Sequence, residues 1–432
     1  MDVRLTLVLA GWVVGWWLLW RVPRLDDPDA GADPELDGRG HRPTGGAAPA
    51  TSRTGGVSVV IPARNEATSL GILLRSLALQ DDPADEVIVV DDQSDDDTAA
   101  IARSFPGVTV VAGQPLPPGW TGKAWACHQG VAAARGATLV FVDADVSLAS
   151  TAIGHLRSVH AAQGGLVSVQ PFHTMRRAYE RLSAVFNVIG IMGVGAASPG
   201  RRARAHAAFG PCLITSRADY TRVGGHLAVR HEIVEDIALA HGYQRAGLAV
   251  HCYGGGADVR FRMYPDGPGQ LLEGWSKNIA TGAGSVGIPR LLLVGFWVTT
   301  VLISIQFVIE QSFGHVDVAL PQIVLIYAMF AIQLAAMLRQ LGNFTVFAAA
   351  CYPALFGVFL LVFVHSAYLT LVRRKVMWRG RSIALGATAA RQGDADAVAP
   401  TATAGPTSAD PSPDASPDAS PDTSPGAPSA RP

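Results

Sequence analysis

Apolar residues are concentrated in a few stretches of the chain. Residues 5–20 form one uncharged apolar run, and residues 291–309, 318–338 and 344–372 form three longer ones without Asp, Glu, Lys or Arg. The three longer runs suffice to span a bilayer, which takes about 20 residues; the first falls slightly short. Arg21 and Arg24 follow that first run as cytoplasmic flanks do. It therefore reads as an uncleaved anchor. The rival reading, a secretory signal peptide, lacks a strong positive start because Asp2 offsets Arg4. Pro353 is placed to kink the last run or break it into a re-entrant piece.

The segment between the first and second runs has a different rhythm. Short β-branched stretches at 57–61 (VSVVI), 86–90 (EVIVV), 108–112 (VTVVA) and 138–142 (TLVFV) each end in turn residues. Leu70, Leu73, Leu74 and Leu77 lie at helical spacing, and a second helix is expected over 123–135. Continuous apolar strands alternating with helices predict an α/β fold with a mainly parallel sheet covered on both faces. Ligands in such sheets bind at the carboxyl ends of the strands.

The remaining segments have little to bury. Residues 26–55 are rich in Asp, Pro and Gly, and residues 390–432 contain no Leu, Ile, Met or aromatic residue. Both are expected to lack a core. The chain thus divides into an N-terminal anchor (1–25), a flexible linker (26–55), an α/β block (56–289), about three apolar helices (290–375) and a basic juxtamembrane stretch with a disordered tail (376–432). Charged residues make up only 16% of the chain, against about 25% for a soluble domain, which excludes a purely soluble protein. The net charge of −1 carries no signal for nucleic acid. The four cysteines lie far apart, which excludes a disulfide scaffold and argues against structural zinc. Cys127, Cys212 and Cys252 read as small buried apolar residues.

Three strand ends carry chemistry. The first runs into Pro62, Ala63, Arg64, Asn65 and Glu66, the second into Asp91 to Asp97, and the fourth into Asp143, Ala144 and Asp145. Asp, Asn and Ser at one loop are adequately explained as turn and cap residues. Carboxylates gathered from three loops at one sheet edge call for a cation. Were the chain still extended there, Asp143 and Asp145 would point to one face and suit Mg²⁺ or Mn²⁺, which takes one or two carboxylates plus substrate phosphates.

Residues 59–66 (VVIPARNE), 86–98 (EVIVVDDQSDDDT), 143–145 and 234–239 (VEDIAL) together resemble family 2 glycosyltransferases with the GT-A fold, over residues 57–282. Residues 120–125 (WTGKAW), 259–264 (VRFRMY) and 273–278 (EGWSKN) resemble a membrane-anchored branch that glycosylates lipids such as carotenoids, hopanoids or polyprenyl phosphates. The resemblance implies a nucleotide-sugar donor, UDP-type first and GDP-type as the alternative, and a lipid acceptor. It implies that Pro62, Arg64, Glu66 and Asp92 line the nucleotide, that Asp143 sits near the ribose or diphosphate, and that Asp145, with Asp143, ligates a Mg²⁺ or Mn²⁺ cofactor. Asp236, beside Glu235, matches the base that takes the acceptor proton in an inverting displacement. Lys123 adds positive charge on the donor or is a solvated lysine at a helix start. Glu235 and Asp236 also suit a helix N-terminus, which favours acids.

Processive synthases of this family carry Gln-x-x-Arg-Trp. Here Gln270 is followed by Leu271, Leu272, Glu273 and Gly274 before Trp275, without the arginine. This counts against a processive polysaccharide synthase. Trp275 remains a candidate floor for the acceptor and Lys277 a candidate phosphate contact; an interfacial helix with Leu271, Leu272, Trp275 and Ile279 on one face is the plainer reading. A non-catalytic membrane scaffold has no chemical need for the intact carboxylates.

Membrane topology is in conflict with this reading. Nucleotide sugars are cytosolic, so the α/β block belongs inside the cell membrane, as Arg21, Arg24 and Arg290 suggest. Three simple crossings after it would put Arg373, Arg374, Lys375, Arg379 and Arg381 outside, against the positive-inside rule. Either residues 344–372 bend back or one segment is only interfacial.

Overall fold

The β-branched stretches become strands and the leucine-spaced segments become helices. The computed structural model describes residues 3–27, 55–201, 203–282, 286–314, 318–370, 375–378 and 381–384. Most of the expected linker (28–54), the tail from 385 onward, and Arg373, Arg374 and Arg379 lie outside the described residues.

Helix α1 (Val3–Leu18) precedes β1 (Val57–Ala63), α2 (Leu70–Ala78), β2 (Glu86–Asp91), α3 (Thr98–Arg103), β3 (Val108–Ala112), α4 (Gly122–Ala133) and β4 (Thr138–Val142). Next come β5 (Val146–Leu148), α5 (Ala152–Gln163), β6 (Leu166–Gln170), β7 (Phe172–His173), α6 (Ala184–Val194) and β8 (Cys212–Ser216). The short helices α7 (Arg217–Arg222) and α8 (Gly225–Ala228) lead to α9 (Glu235–Arg245), β9 (Val250–Gly254), β10 (Val259–Phe261) and α10 (Pro268–Gly282). The apolar helices are α11 (Ile288–Ser312), α12 (Leu320–Leu341), α13 (Val346–Ala350) and α14 (Tyr352–Tyr368), followed by the antiparallel pair β11 (Lys375–Trp378) and β12 (Arg381–Ala384).

Seven strands form the main sheet in the order β3-β2-β1-β4-β8-β6-β9. The first four are mutually parallel, as predicted, and so are β6 and β9; β8 runs antiparallel to both its neighbours, β4 and β6. Alternation along β1 supplies both layers of core. Val59 and Ile61 pack with Leu70, Leu73, Leu74 and Leu77 of α2, while Val60 packs with Ala126 and Cys127 of α4. Each of these leucines is buried, worth about 1.5–3 kcal/mol apiece; Leu74→Ala would cost about 2–5 kcal/mol. A second, three-stranded sheet, β5-β10-β7, lies beyond β4.

The apolar helices pack onto this domain and one another. Gly11 and Gly15 let α1 approach α11 closely: a Cβ at Gly11 would lie 2.0 Å from Thr300 Oγ1. The two helices are antiparallel. Arg4 meets Glu310 at 2.9 Å at one end. At the other, buried Arg290 donates to Ser198 Oγ at 2.7 Å and to Leu18 O at 3.4 Å. Helix α12 returns to the α/β domain, where Asn343 N–H donates to His173 O at 3.0 Å. Of these helices, α11 and α12 are long and apolar enough to cross a membrane by length and composition; α1 and α14 are shorter. The run 344–372, expected to be long enough for one span, is broken. Its chain turns at Cys351, and Pro353 sits in the first turn of α14, where a missing N–H costs nothing.

Candidate active site

The loops after β1 and β2 are fastened to each other mainly by side-chain-to-backbone bonds. Asn65 N–H donates to Ser94 Oγ (3.0 Å), Glu66 N–H to Thr98 Oγ1 (2.8 Å), Ala67 N–H to Asp96 Oδ2 (3.1 Å), and Asp95 N–H to Asn65 Oδ1 (2.9 Å). Asn65 and Gln93 adopt positive φ, 54° and 56°, as tight turns between strand and helix require. Within this frame Arg64 donates to Asp92 O at 2.9 Å and stands 3.8 Å from the buried Asp92 carboxylate. Ser69 Oγ holds Glu66 Oε2 at 2.6 Å. Pro62, half-buried, lies opposite Val90 in the sheet. Pro62, Arg64, Glu66 and Asp92 therefore share one corner of the sheet edge.

A second cluster lies at the end of β4. Lys123, in the first turn of α4, stands 2.8 Å from Asp143 Oδ1 and 3.1 Å from Glu235 Oε1. Asp236 adjoins them: a Cβ on Gly210 would lie 2.9 Å from Asp236 Oδ2 and 3.0 Å from Lys123 Nζ. Glu235 and Asp236 open α9, so the helix-start explanation holds for both. Burial acts to raise Glu235, but Lys123, a backbone hydrogen bond and His226 together hold the carboxyl below its usual range. Asp236 moves the other way: burial, and then the neighbouring Glu235 charge, push it up to about 7. Burial opposes the charge on Lys123, yet Asp143, Glu235 and Asp236 together raise it well above the ordinary lysine value. Lys123 thus faces three carboxyl groups, and Asp236 is the one left receptive to a proton.

Asp143 and Asp145 do not continue the strand. Strand β4 ends at Val142, and Val146 N–H donates to Asp143 O at 3.1 Å, closing a turn. The condition for both side chains to share a face, a chain still extended there, is not met, and β5 follows at once in the second sheet. Asp145 instead neighbours Tyr264, whose phenol burial and this carboxylate raise. Tyr264 meets Trp275 edge-on at 6.0 Å. Trp275 is 9% exposed, stacks on Phe186 at 4.7 Å and donates to Ser183 Oγ at 3.0 Å. Leu271 and Trp275 are buried, while Leu272, at the edge of the same helix face, is 40% exposed. Lys277 follows on α10; burial lowers its ammonium, and its electrostatic partners are Glu235, Lys123, Asp236 and Asp143. It thereby belongs to the second cluster rather than the first.

Two features escaped sequence reasoning. Gly210 must lack a side chain for Lys123 and Asp236 to meet, and its only signal is a Gly-Pro pair before a strand. Gly274 is similar: a Cβ there would fall 2.3 Å from the Tyr264 ring. Among the described residues, no group of three or more His, Cys, Asp or Glu side chains is arranged to hold a metal ion.

A mostly parallel sheet with carboxylates at its strand ends is an α/β architecture with polar groups at its carboxyl edge, and the comparisons assign its family. The family model for glycosyl transferase family 2 matches residues 58–181. A Staphylococcus aureus (strain USA300) protein named 4,4'-diaponeurosporenoate glycosyltransferase is 36% identical over 334 residues, 76% of this chain and 88% of the relative. The chain belongs to glycosyl transferase family 2, with the GT-A fold. Solved structures similar to it include a Pyrobaculum calidifontis mannosyltransferase in complex with GDP-Man and Mn²⁺ (16% identity, 86% of this chain and 96% of that one, TM-score 0.47). Another is Mycobacterium tuberculosis glucosyl-3-phosphoglycerate synthase with Mn²⁺, UDP and glucosyl-3-phosphoglycerate (25% identity, 55% and 81%, TM-score 0.38).

Proposed function

We propose that this glycosyltransferase is a multi-pass protein of the cell membrane. On its cytoplasmic face it moves a sugar from a nucleotide-sugar donor, UDP-type first and GDP-type second, to a lipid acceptor. The observation that carries this reading is the cluster of Lys123, Asp143, Glu235 and Asp236, in which one carboxyl is kept receptive to a proton near neutrality. The relative named for a carotenoid acid supports an apolar acceptor. The apolar helices joined to α10 support a membrane-side approach, and the close α1–α11 packing supports an anchor that is retained.

The nucleotide lies in the corner made by Pro62, Arg64, Glu66 and Asp92. Lys123 offsets negative charge that develops on the leaving diphosphate. The acceptor oxygen attacks the anomeric carbon as the bond to the diphosphate oxygen breaks. Asp236 takes the acceptor proton, and the diphosphate leaves with the bonding electrons. One displacement inverts the anomeric centre, and general-base help contributes about 10²–10⁴-fold. Lys277 and Trp275 on α10 face the acceptor's side of the cluster. Asp145, with Asp143, would hold a Mg²⁺ or Mn²⁺ ion, since hard carboxylate oxygens suit such a cation. Such an ion supplies Lewis-acid polarisation of the leaving phosphate.

The test is nucleoside diphosphate release by detergent-purified protein, given a panel of nucleotide sugars and total lipid extract, with and without Mg²⁺ or Mn²⁺. Metal-dependent release that requires lipid, and is lost in Asp145→Asn and Asp236→Asn, is expected. Release unchanged in both variants, or absent with every donor, overturns the site assignment and favours a non-catalytic scaffold. Long polymeric product would favour a processive synthase instead.

A further inference from the structure

We infer that residues 344–368 form a re-entrant hairpin that enters and leaves the bilayer on the catalytic side, so that only α1, α11 and α12 cross it. This rests on the membrane-anchored reading above. Helix α11 supplies a ruler. From Arg290, bound beside the α/β domain, to Glu310, bound by Arg4, is a rise of about 30 Å at 1.5 Å per residue. That matches the hydrocarbon thickness of a bilayer, about 30 Å.

Two contacts fix the depth of the hairpin tip. Tyr352 OH lies 2.9 Å from Ser304 Oγ, and Ser304 is about 21 Å along α11 from Arg290. Tyr327 OH donates to Ala350 O, and Tyr327 is likewise about 21 Å along α12 from Leu341, its catalytic-side end. Both rulers stop the tip about two-thirds of the way across. Helix α14 then runs back rather than onward. Its 17 residues cover about 25 Å. At its far end Ser366 Oγ donates to Ser276 O at 2.7 Å, and His365 Nδ1 lies 3.1 Å from Ser276 Oγ, both on α10 of the catalytic domain.

The break in the helix satisfies the condition for non-helical backbone at membrane depth, which is that the protein itself pairs the polar groups. Thr345 Oγ1 accepts from Ala348 N–H at 3.2 Å, Cys351 N–H donates to Phe347 O at 2.9 Å, and the Tyr327 hydroxyl covers Ala350 O. Outward-facing Phe347, Leu361 and Val364 are 76%, 73% and 65% exposed, a surface suited to acyl chains. The hairpin also removes the charge conflict. Arg373, Arg374, Lys375, Arg379 and Arg381 then share the side of Arg21, Arg24 and Arg290, as the positive-inside rule asks.

The experiment uses the native chain with an epitope after Pro432. External protease should leave the epitope intact in spheroplasts and remove it, together with the catalytic domain, in inverted vesicles. Loss of the epitope in intact spheroplasts overturns the hairpin. A second measurement applies a membrane-impermeant maleimide to single-cysteine variants that retain nucleoside diphosphate release, with the native cysteines replaced by alanine. Ser312→Cys should be labelled only from outside, and Ser408→Cys only from the cytoplasmic side. External labelling of Ser408→Cys overturns the hairpin alone. Extraction of the whole chain by alkaline carbonate overturns the membrane reading and the hairpin with it.

Discussion

Two polar regions share the carboxyl edge of the sheet, and they are built in opposite ways. In the loops after β1 and β2, Asn65, Ser94, Asp96 and Thr98 spend their side chains on backbone N–H groups of the facing loop. Around Lys123, side chains meet side chains, and three carboxyl groups share the charges of Lys123 and Lys277. The first region is stapled loop to loop; the second keeps like charges close and moves the Asp236 proton affinity towards neutrality. In the proposed mechanism the difference separates roles: one region frames the donor, the other carries the proton transfer. Substitutions in the second should therefore change chemistry and spare the fold, and those in the first should do the reverse.

The sharpest test of that division is Asp236→Asn. With the general base gone, kcat should fall about 10²–10⁴-fold. The melting temperature should not fall, because the neutral amide relieves repulsion from Glu235. A large loss of thermal stability would break the comparison. Next is Gly210→Ala. The added methyl would press on Asp236 Oδ2 and Lys123 Nζ, parting the base from its neighbours. A displacement of about 1 Å can cost about 10²-fold, so kcat/KM should drop by up to that factor, with donor binding measured by calorimetry retained.

The pH profile has a smaller, graded effect. In the proposed mechanism Asp236 acts as a base only when unprotonated, and burial and the Glu235 charge push its carboxyl up to about 7. Below that value kcat/KM should decline about tenfold per pH unit, and above it should level off. In Asp236→Glu the midpoint should move, whereas in Thr98→Val it should stay. A profile flat from pH 5 to 8 would remove Asp236 from the proton transfer.

Legibility followed the range of the interactions. Strands β1 to β4 were readable because their apolar alternation is local, and observed bounds differ from the expected ones by at most two residues at the carboxyl ends. The acids at the strand ends were readable because turns after strands are marked by their own residues. The antiparallel β8 was not, since its partners β4 and β6 are chosen by long-range pairing. The turn after β4 was marked by its own residues, but where it leads was not, since β5 pairs with the distant β10. Gly210 and Gly274 were silent because the contact that demands a glycine comes from distant residues. The bend at Cys351 had a local cue in Pro353, but its direction is set by Ser304, Tyr327 and Ser276, each remote in sequence.

Thr98→Val has the smallest expected effect on turnover and tests the stapled region directly. Thr98 is fully buried, and its hydroxyl accepts the Glu66 N–H at 2.8 Å while bonding Asp96. Valine keeps the branched shape but leaves the Glu66 N–H without its acceptor, a loss of about 1–3 kcal/mol for a buried group. Chemical denaturation should show that loss as a lower midpoint with an unchanged slope. Because Arg64, Glu66 and Asp92 hang from the same stapled loops, the donor KM should rise. The Lys123 cluster shares none of these bonds, so kcat at saturating donor should be unchanged. A fall in kcat as large as that of Asp236→Asn would mean that the two regions act as one unit, and that the stapled loops are part of the chemistry they were taken to frame.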